Sequence, residues 1–278
     1  MILFLHPFLE VSRFLLIFAT LNVQHSMQVI HIDETDSTNR WLRNYSASDK
    51  HGWAQTSSIQ ECPCLSDATI VVADYQTAGR GQGTNTWESE RGKNLTFSIG
   101  FSPEGIKAAE QFVLSMAISV ALVKTLRELS DVSIKWPNDI YVGDKKICGI
   151  LRENTVTGSH IKDCIIGIGL NVNQTTFVSD APNPTSMALE SGHEWKREEV
   201  LQSLLTNFGK LLDNWNAEEI RTTYRQQLYR REGPHPYRDA NGLFEATLLY
   251  VEDDGHLLLR DVEGHERRYS FKEVAYIL

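Results

Sequence analysis

The sequence predicts an α+β fold made of one large domain and a small all-β domain at the C-terminus. Three observations predict it. Strand patterns recur between residues 29 and 173, one apolar segment among them is long enough for a buried helix, and from about Gly233 short strands follow, joined by Asp-Gly and Glu-Gly turns. That last texture is the one expected of a small β-barrel of SH3-like kind. The 278 residues suffice for one full core and a smaller second domain. The expected division is a leader at residues 1–26, a main domain at 27–230 and the β domain at 231–278.

Val29 to Glu34 alternates as a short strand, and Asp36-Ser37-Thr38-Asn39 follows it, ahead of a segment with apolar Trp41, Leu42 and Tyr45. Such a polar cluster is a helix N-cap signature, and it is also a possible pocket wall because hydroxyls and open backbone N–H groups stand there. Thr69 to Gln76 is a buried strand that runs into a glycine loop, so Gln76 stands at a strand end, where open sheets place their ligands. In the loop, Gly79, Gly81 and Gly83 interleave Arg80. A plain surface turn explains the glycines by themselves, but a planar, always charged guanidinium between two of them favours capture of a carboxylate or phosphate. Leu95 to Phe101 is a period-2 strand that anchors the loop.

A helix is expected from about Ile106 to Leu129, apolar on most faces and therefore central. Val132 to Asn154 reads as a strand ending at Pro137, a second strand begun by Asn138 and Asp139, a turn at Gly143-Asp144, and a return strand through Ile147 to Arg152. Lys135 lies among apolar residues, and an unmatched buried ammonium is costly, so Lys135 either meets an anion or snorkels at a sheet edge. Ile161 to Asn173 is another strand, with Gly167 and Gly169 as signs of close approach by a ligand or by backbone. Amphipathic helices are expected over Trp195–Trp215 and Ala217–Arg230, then strands at Leu243–Val251, His256–Asp261, Glu266–Ser270 and Val274–Leu278.

Composition narrows the function. Hydrophobic content of 41% with 23% charged residues is that of a soluble globular chain and excludes disordered or fibrous classes. With 27 Lys and Arg against 36 Asp and Glu, the net charge of −9 argues against nucleic-acid binding, so any anion site must be local. Cys62, Cys64, Cys148 and Cys164 lack zinc-type C-x-x-C spacing, and free thiols in a reducing, cytoplasmic setting are expected. Cys148 and Cys164 read as small buried hydrophobes and Cys62-Pro63-Cys64 as a loop. The apolar run Phe14–Leu21 is too short to span a bilayer, so no membrane role is expected, and the functional chain is expected to begin near Met27.

The motifs occur together in one order: DSTN at 36–39, Tyr75-Gln76, GRG at 79–81 with Trp87, KWPNDIY at 135–141, CGIL at 148–151 and GIGLNVN at 167–173. In this the chain resembles the biotin protein ligases over residues from about 29 to the C-terminus. The resemblance implies a mixed sheet packed against helices, a class II synthetase-like ligase domain, with a C-terminal SH3-like barrel. It implies ATP and Mg²⁺ as cofactors and biotin as substrate. Biotinyl-5′-AMP would form first, and a lysine of a biotin carboxyl carrier domain would then accept the biotinyl group. Carried over by motif, Lys135 and Arg80 are the catalytic cations. Ser37, Thr38, Asn39, Gln76, Gly79, Arg80, Gly81, Gln82, Lys135 and Gly149 face biotin, while Arg80, Trp87, Asn138, Asn171 and Asn173 face the nucleotide. Asp139 is a candidate metal ligand or a strand-start residue. Gln82 stands where many members have a second Arg, and residues 1–26 are expected to carry no DNA-binding domain. Two other readings stay open: a lipoate ligase or octanoyltransferase of related fold, and a non-catalytic biotin sensor.

Overall fold

The computed structural model describes residues 27–45, 65, 67–103, 105–178 and 183–277. The expectations for residues 1–26 and for Cys62 and Cys64 lie outside them. The large domain is built on a seven-stranded mixed sheet in the order β1-β2-β3-β7-β6-β5-β4. β1 (Gln28–Thr35) runs parallel to β2 (Thr69–Gln76), with Val29 opposite Ile70, and every other pair is antiparallel. The remaining strands are β3 (Leu95–Phe101), β4 (Val132–Lys135), β5 (Asp139–Val142), β6 (Lys145–Thr157) and β7 (His160–Leu170).

Side chains alternate across a strand, and β3 shows what each face is for. Leu95, Phe97 and Ile99 join the apolar core, which also contains the helix α2 (Phe112–Thr125). Ser98, between them in sequence, is equally buried but meets the short helix α1 (Thr38–Asn44), which lies over β2, β3 and β7. One face of the sheet is thus the core and the other carries the polar groups. All residues of α2 from Phe112 to Val123 are buried, because α4 (Arg197–Asp213) and α5 (Ala217–Gln226) pack against it opposite the sheet. The five-residue α3 (Met187–Ser191) caps the end of β7.

The helix expected at 106–129 is shorter. Ile106 and Ala108 instead exchange backbone hydrogen bonds with Ile161 and Ser159, the helix begins only at Phe112, and the Phe112 N–H is satisfied by the Asp253 carbonyl. Residues 227–229 likewise leave α5, since Gln227 O and Tyr229 N bond to Ile134 and close the exposed edge of β4.

The C-terminal unit is a five-stranded antiparallel sheet in the order β11-β10-β9-β8-β12, open rather than the closed barrel expected. Its strands are β8 (Pro234–Asp239), β9 (Gly242–Val251), β10 (Leu257–Asp261), β11 (Glu266–Tyr269) and β12 (Ala275–Tyr276). Closure fails because β12 is only two residues long and is drawn toward the large domain, where Arg230 Nη1 donates to the Ile277 carbonyl at 2.6 Å. β8 was not legible in the sequence because Pro234 and Pro236 mark a breaker. Pro234 has only β9 beside it, and at Pro236 the missing N–H is covered from elsewhere: its carbonyl accepts from Ile277 N at 3.2 Å, while the Ile277 carbonyl takes Arg230 Nη1. The sheet is fastened to the large domain by Arg221, bidentate to Asp253 at 2.6 and 2.7 Å, and by Trp136 Nε1 donating to Gly255 O at 2.9 Å.

Candidate active site

Where β2 ends and α1 begins, three buried polar residues form a wall. Thr38 donates to Gln76 Oε1 through its backbone N–H at 2.8 Å and its hydroxyl at 3.1 Å. Asn39 accepts from Ser98 Oγ at 2.6 Å and donates through Nδ2 to the Leu151 carbonyl at 3.2 Å and to Glu153 Oε2 at 2.8 Å. Ser37, at the N-cap position, makes no side-chain capping bond and turns to the cavity. The open helix N–H groups expected here are partly taken, since Gln76 already holds that of Thr38.

The glycine loop folds back on itself. Trp87 N donates to Gly79 O at 3.0 Å and Gly81 N to Asn85 O at 2.7 Å. A Cβ at Gly79 would stand 2.3 Å from the Trp87 carbonyl, so only glycine permits this return. The returning strand lays the Trp87 indole over a floor of glycines, where an added Cβ at Gly149 or Gly169 would lie 3.2 or 2.3 Å from the ring. The indole N–H is buried there without an acceptor among the described residues.

Between wall, loop and floor lies a cavity of about 430 Å³. Ser37, Thr38, Asn39, Gln76, Arg80, Gly81, Gln82, Trp87, Lys135, Asn138, Asp139 and Gly149, all singled out in the sequence, line it. Gly79 does not; it shapes the loop. Asn171 and Asn173 do not line it either: Asn171 Nδ2 donates to Thr185 O at 2.9 Å, and Asn173 exchanges two hydrogen bonds with the Trp195 backbone. Their amides brace loops behind the floor. Lys146, Asn85, Thr86 and the segment Phe271–Tyr276 also border the cavity or lie on its rim, and none was singled out in the sequence. For Lys146 a faint signal existed, a Lys one residue before the apolar run Ile147-Cys148. For residues 271–276 there was none, because they arrive from another sheet.

The charges sort into paired and unpaired. Arg80 Nη1 lies 3.4 Å from Glu153 Oε1, which also pairs with Arg43 at 2.7 Å. Burial acts to raise the Glu153 carboxyl, but the hydrogen bonds from Asn39 and Arg43 and the charges of Arg43 and Arg80 outweigh it and hold it below the usual range. Lys146 pairs with Asp139 at 2.8 Å. Lys135 has no carboxylate partner among the described residues. Its ammonium donates to Tyr141 Oη at 3.0 Å and stands over the Tyr141 and Tyr276 rings at 4.7 and 5.2 Å. Burial lowers its pKa; Asp139 works against that, while Lys146 and Arg230 add to it. Among the described residues no protein carboxylate is the anion expected opposite Lys135, which leaves a half-buried cation able to meet an anion brought in from outside.

Magnesium has little to hold it. Among the described residues Asp139 is the one carboxylate on the cavity lining, and it is already in an ion pair. One paired carboxylate does not make a protein-built magnesium cage. The cluster of Glu252, Asp254 and His256 in the C-terminal sheet holds Arg268, whose Nε and Nη2 lie 2.6 and 2.7 Å from the two carboxylates.

A mixed sheet with a polar wall, a glycine floor and a returning Gly-Arg-Gly loop defines a ligand-binding domain with a cationic pocket. Residues 60–171 match the Biotin/lipoate A/B protein ligase family, and the chain carries a domain of that family. It is 33% identical over 214 residues to the bifunctional ligase/repressor BirA of Bacillus subtilis, covering 73% of this chain and 65% of that protein. It thus spans just under two thirds of the length of this relative. It is 29% identical over 223 residues to the biotin–[acetyl-CoA-carboxylase] ligase of Paracoccus denitrificans, covering 75% of this chain and 91% of that one. The biotin protein ligase from Aquifex aeolicus in complex with biotin and ATP superposes with a TM-score of 0.68 at 25% identity, covering 89% of this chain and 97% of that one.

Proposed function

We propose that this chain is a biotin protein ligase, which activates biotin with ATP and passes the biotinyl group to a lysine of a biotin carboxyl carrier domain. The observation that carries the reading is Lys135, a cation with no carboxylate partner among the described residues, sharing with Arg80 a cavity walled by neutral hydrogen-bonding groups and floored by glycine. In the first step a carboxylate oxygen of biotin bonds to the α-phosphorus, and the bond to the β-phosphate oxygen breaks to release pyrophosphate. In the second, the neutral lysine amine attacks the activated carbonyl; an amide forms, the carbonyl C–O bond of the mixed anhydride breaks, AMP leaves and the amine loses a proton.

Two anions must approach each other, so cations fixed beforehand lower the barrier by meeting charge as it builds on the phosphate. Lys135 is fixed in that way by Tyr141 and Tyr276. Ser37, Thr38 and Asn39 offer directional neutral partners for the ureido ring, and the Trp87 indole, seated on the glycine floor, offers an apolar wall for the fused sulfur ring. Magnesium would arrive with the phosphates instead of waiting in a protein cage. The unpaired thiols of Cys148 and Cys164 are buried and are what a reducing compartment maintains, so a cytoplasmic location is part of the proposal. The test is exchange of labelled pyrophosphate into ATP by the purified chain: exchange that depends on biotin is expected, and exchange with lipoate or octanoate instead, or none, overturns the reading.

Arg80 has a separable role. Glu153 holds its guanidinium at the wall before any ligand arrives, and the same guanidinium can turn to the phosphate of the adenylate and retain it. Arg80→Gly is therefore expected to keep adenylate formation while releasing the adenylate, read as biotinylation of a bystander such as serum albumin. Unlabelled albumin with intact pyrophosphate exchange would remove this role.

A further inference from the structure

On the C-terminal sheet an acid, a base and a hydroxyl stand in one line. Leu257 of β10 lies opposite Tyr269 of β11, and the antiparallel register therefore sets His256, just before the one strand, beside Ser270, just after the other. His256 Nε2 lies 3.0 Å from Ser270 Oγ, and Asp254 Oδ1 lies 2.8 Å from His256 Nδ1. Arg268 also approaches Nδ1, at 2.9 Å through Nη2, but the same Nη2 donates to Asp254 Oδ2 at 2.7 Å. With the carboxylate the nearer partner, the hydrogen-bond network assigns the proton to Nδ1, which leaves the Nε2 lone pair to accept from the Ser270 hydroxyl.

The three groups are held from both sides. Gly255, between the acid and the base in the chain, accepts from Trp136 Nε1 at 2.9 Å, and an added Cβ there would stand 2.7 Å from the Phe112 ring, so this turn is seated on the large domain. Ser270 N donates to Glu273 Oε2 at 2.7 Å and Ser270 O accepts from Glu273 N at 3.2 Å, which fixes the backbone that carries the hydroxyl.

Asp254, His256 and Ser270 line a second cavity, of about 220 Å³, at the junction with the large domain; it shares the wall of Gln82, Pro137 and Asn138 with the cavity of Lys135 and Arg80. Phe112, Ile150 and Phe271 make other parts of its lining apolar. Arg152 lines it as well, donating to Ser115 Oγ at 2.8 Å and Gln111 Oε1 at 3.2 Å, with no carboxylate partner among the described residues. The N–H of Phe271, the residue after the hydroxyl, donates to no group among the described residues. A hydroxyl, a base, an acid that orients the base and an open amide next to the nucleophile are the parts that acyl transfer uses.

We propose that Ser270, His256 and Asp254 form a hydrolytic centre for short activated acyl groups, esters or acyl phosphates, apart from the ligase cavity. Ser270 Oγ bonds to the carbonyl carbon and gives its proton to His256 Nε2; the C–O bond to the leaving group breaks, and Nε2 returns the proton to the leaving oxygen. A water oxygen then bonds to the acyl carbon and gives a proton to Nε2, the ester bond to Ser270 breaks, Ser270 Oγ takes that proton and the carboxylic acid departs. The Phe271 N–H and Arg152 are the donors at hand for negative charge on the carbonyl oxygen and the leaving group. Ser270 and His256 do the chemistry, and Asp254 is a positioning residue that acts through His256. The activity uses neither ATP nor biotin, so it is independent of the ligase reading.

The test is hydrolysis of p-nitrophenyl butyrate by the purified full chain, together with labelling by a fluorophosphonate, in which Ser270 Oγ displaces fluoride from phosphorus. Turnover above the buffer rate is expected, with one label, located on Ser270 by mass spectrometry. Ser270→Ala and His256→Gln should each lower the hydrolysis by about a hundredfold or more, the size of general-base catalysis, and remove the label. Asp254→Asn should slow labelling by at least about tenfold, because Nδ1 loses its carboxylate acceptor, and Asp254→Glu should recover part of the rate, which a merely structural role would not produce. Urea midpoints equal to that of the wild type show that the variants fold. Hydrolysis that persists in Ser270→Ala is the work of an imidazole by itself and overturns the proposal, as does a wild type that neither cleaves the ester nor takes the label. Biotin-dependent pyrophosphate exchange by the same preparation decides the ligase reading separately.

Discussion

Replacement of Lys135 by Gln is expected to leave the chain folded and to lower the rate of adenylate formation by about two to three powers of ten, the loss typical when one donor is removed from a developing charge. The reason lies in what surrounds the ammonium. Asp139 is directly opposite in the β4–β5 pairing, yet its carboxylate is bonded to Lys146, so Lys135 feels Asp139 without being paired to it and stays open to an incoming anion. Gln can still hydrogen-bond to Tyr141 but carries no charge, so packing survives and transition-state stabilisation does not. Stopped-flow or pyrophosphate-exchange rates measure the loss, and urea unfolding checks the fold. A variant exchanging at the wild-type rate would remove Lys135 from the chemistry.

Gly167→Ala is expected to damage the site from behind. The added Cβ would lie 2.2 Å from Asn39 Oδ1, and Asn39 is buried and held by Ser98, Leu151 and Glu153. It cannot swing away without breaking those bonds. Overpacking of this kind costs about 1–3 kcal/mol, and the broken Asn39 bonds add to it. The urea midpoint should fall accordingly at unchanged slope. Because Asn39 orients Glu153, and Glu153 holds Arg80, biotin affinity should fall by at least about tenfold as well. Gly100→Ala is the control, since its Cβ would meet the flexible Leu42 side chain at 3.4 Å, an ordinary contact, and should cost far less. If the two variants are equally stable and bind biotin equally well, the wall is not built on Asn39 as described.

Much of this was legible in the sequence because the signals were local. Period-2 alternation marked β3, an unbroken apolar run marked α2, and the glycines around Arg80 marked a loop with a cation to present. Lys135 could be singled out because burial of an unmatched ammonium is a local contradiction that asks for a partner. Other readings failed where local chemistry has two outcomes. Asn171 and Asn173 carry amides suited to a nucleotide or to backbone carbonyls, and the loops at Thr185 and Trp195 take them. The prolines of β8 mark a breaker unless nothing beside the strand depends on their missing N–H; Arg230 serves the Ile277 carbonyl opposite Pro236.

By itself the sequence determined the strands of the large domain and the presence, though not the ends, of its longer helices, the wall residues Ser37 to Asn39, and the Gly-Arg-Gly loop with Lys135 as its companion, since each follows from residue types at short spacing. Only the tertiary structure decided how the charges are shared: that Glu153 holds Arg80, that Lys146 neutralises Asp139 and leaves Lys135 unpaired, and that Lys272 comes to the cavity mouth from a separate sheet. Which ion pairs form depends on distances of 2.8 and 3.4 Å between side chains as many as 73 residues apart in the chain. No periodicity encodes such distances; they exist once the sheet order and the docking of the C-terminal unit have set them.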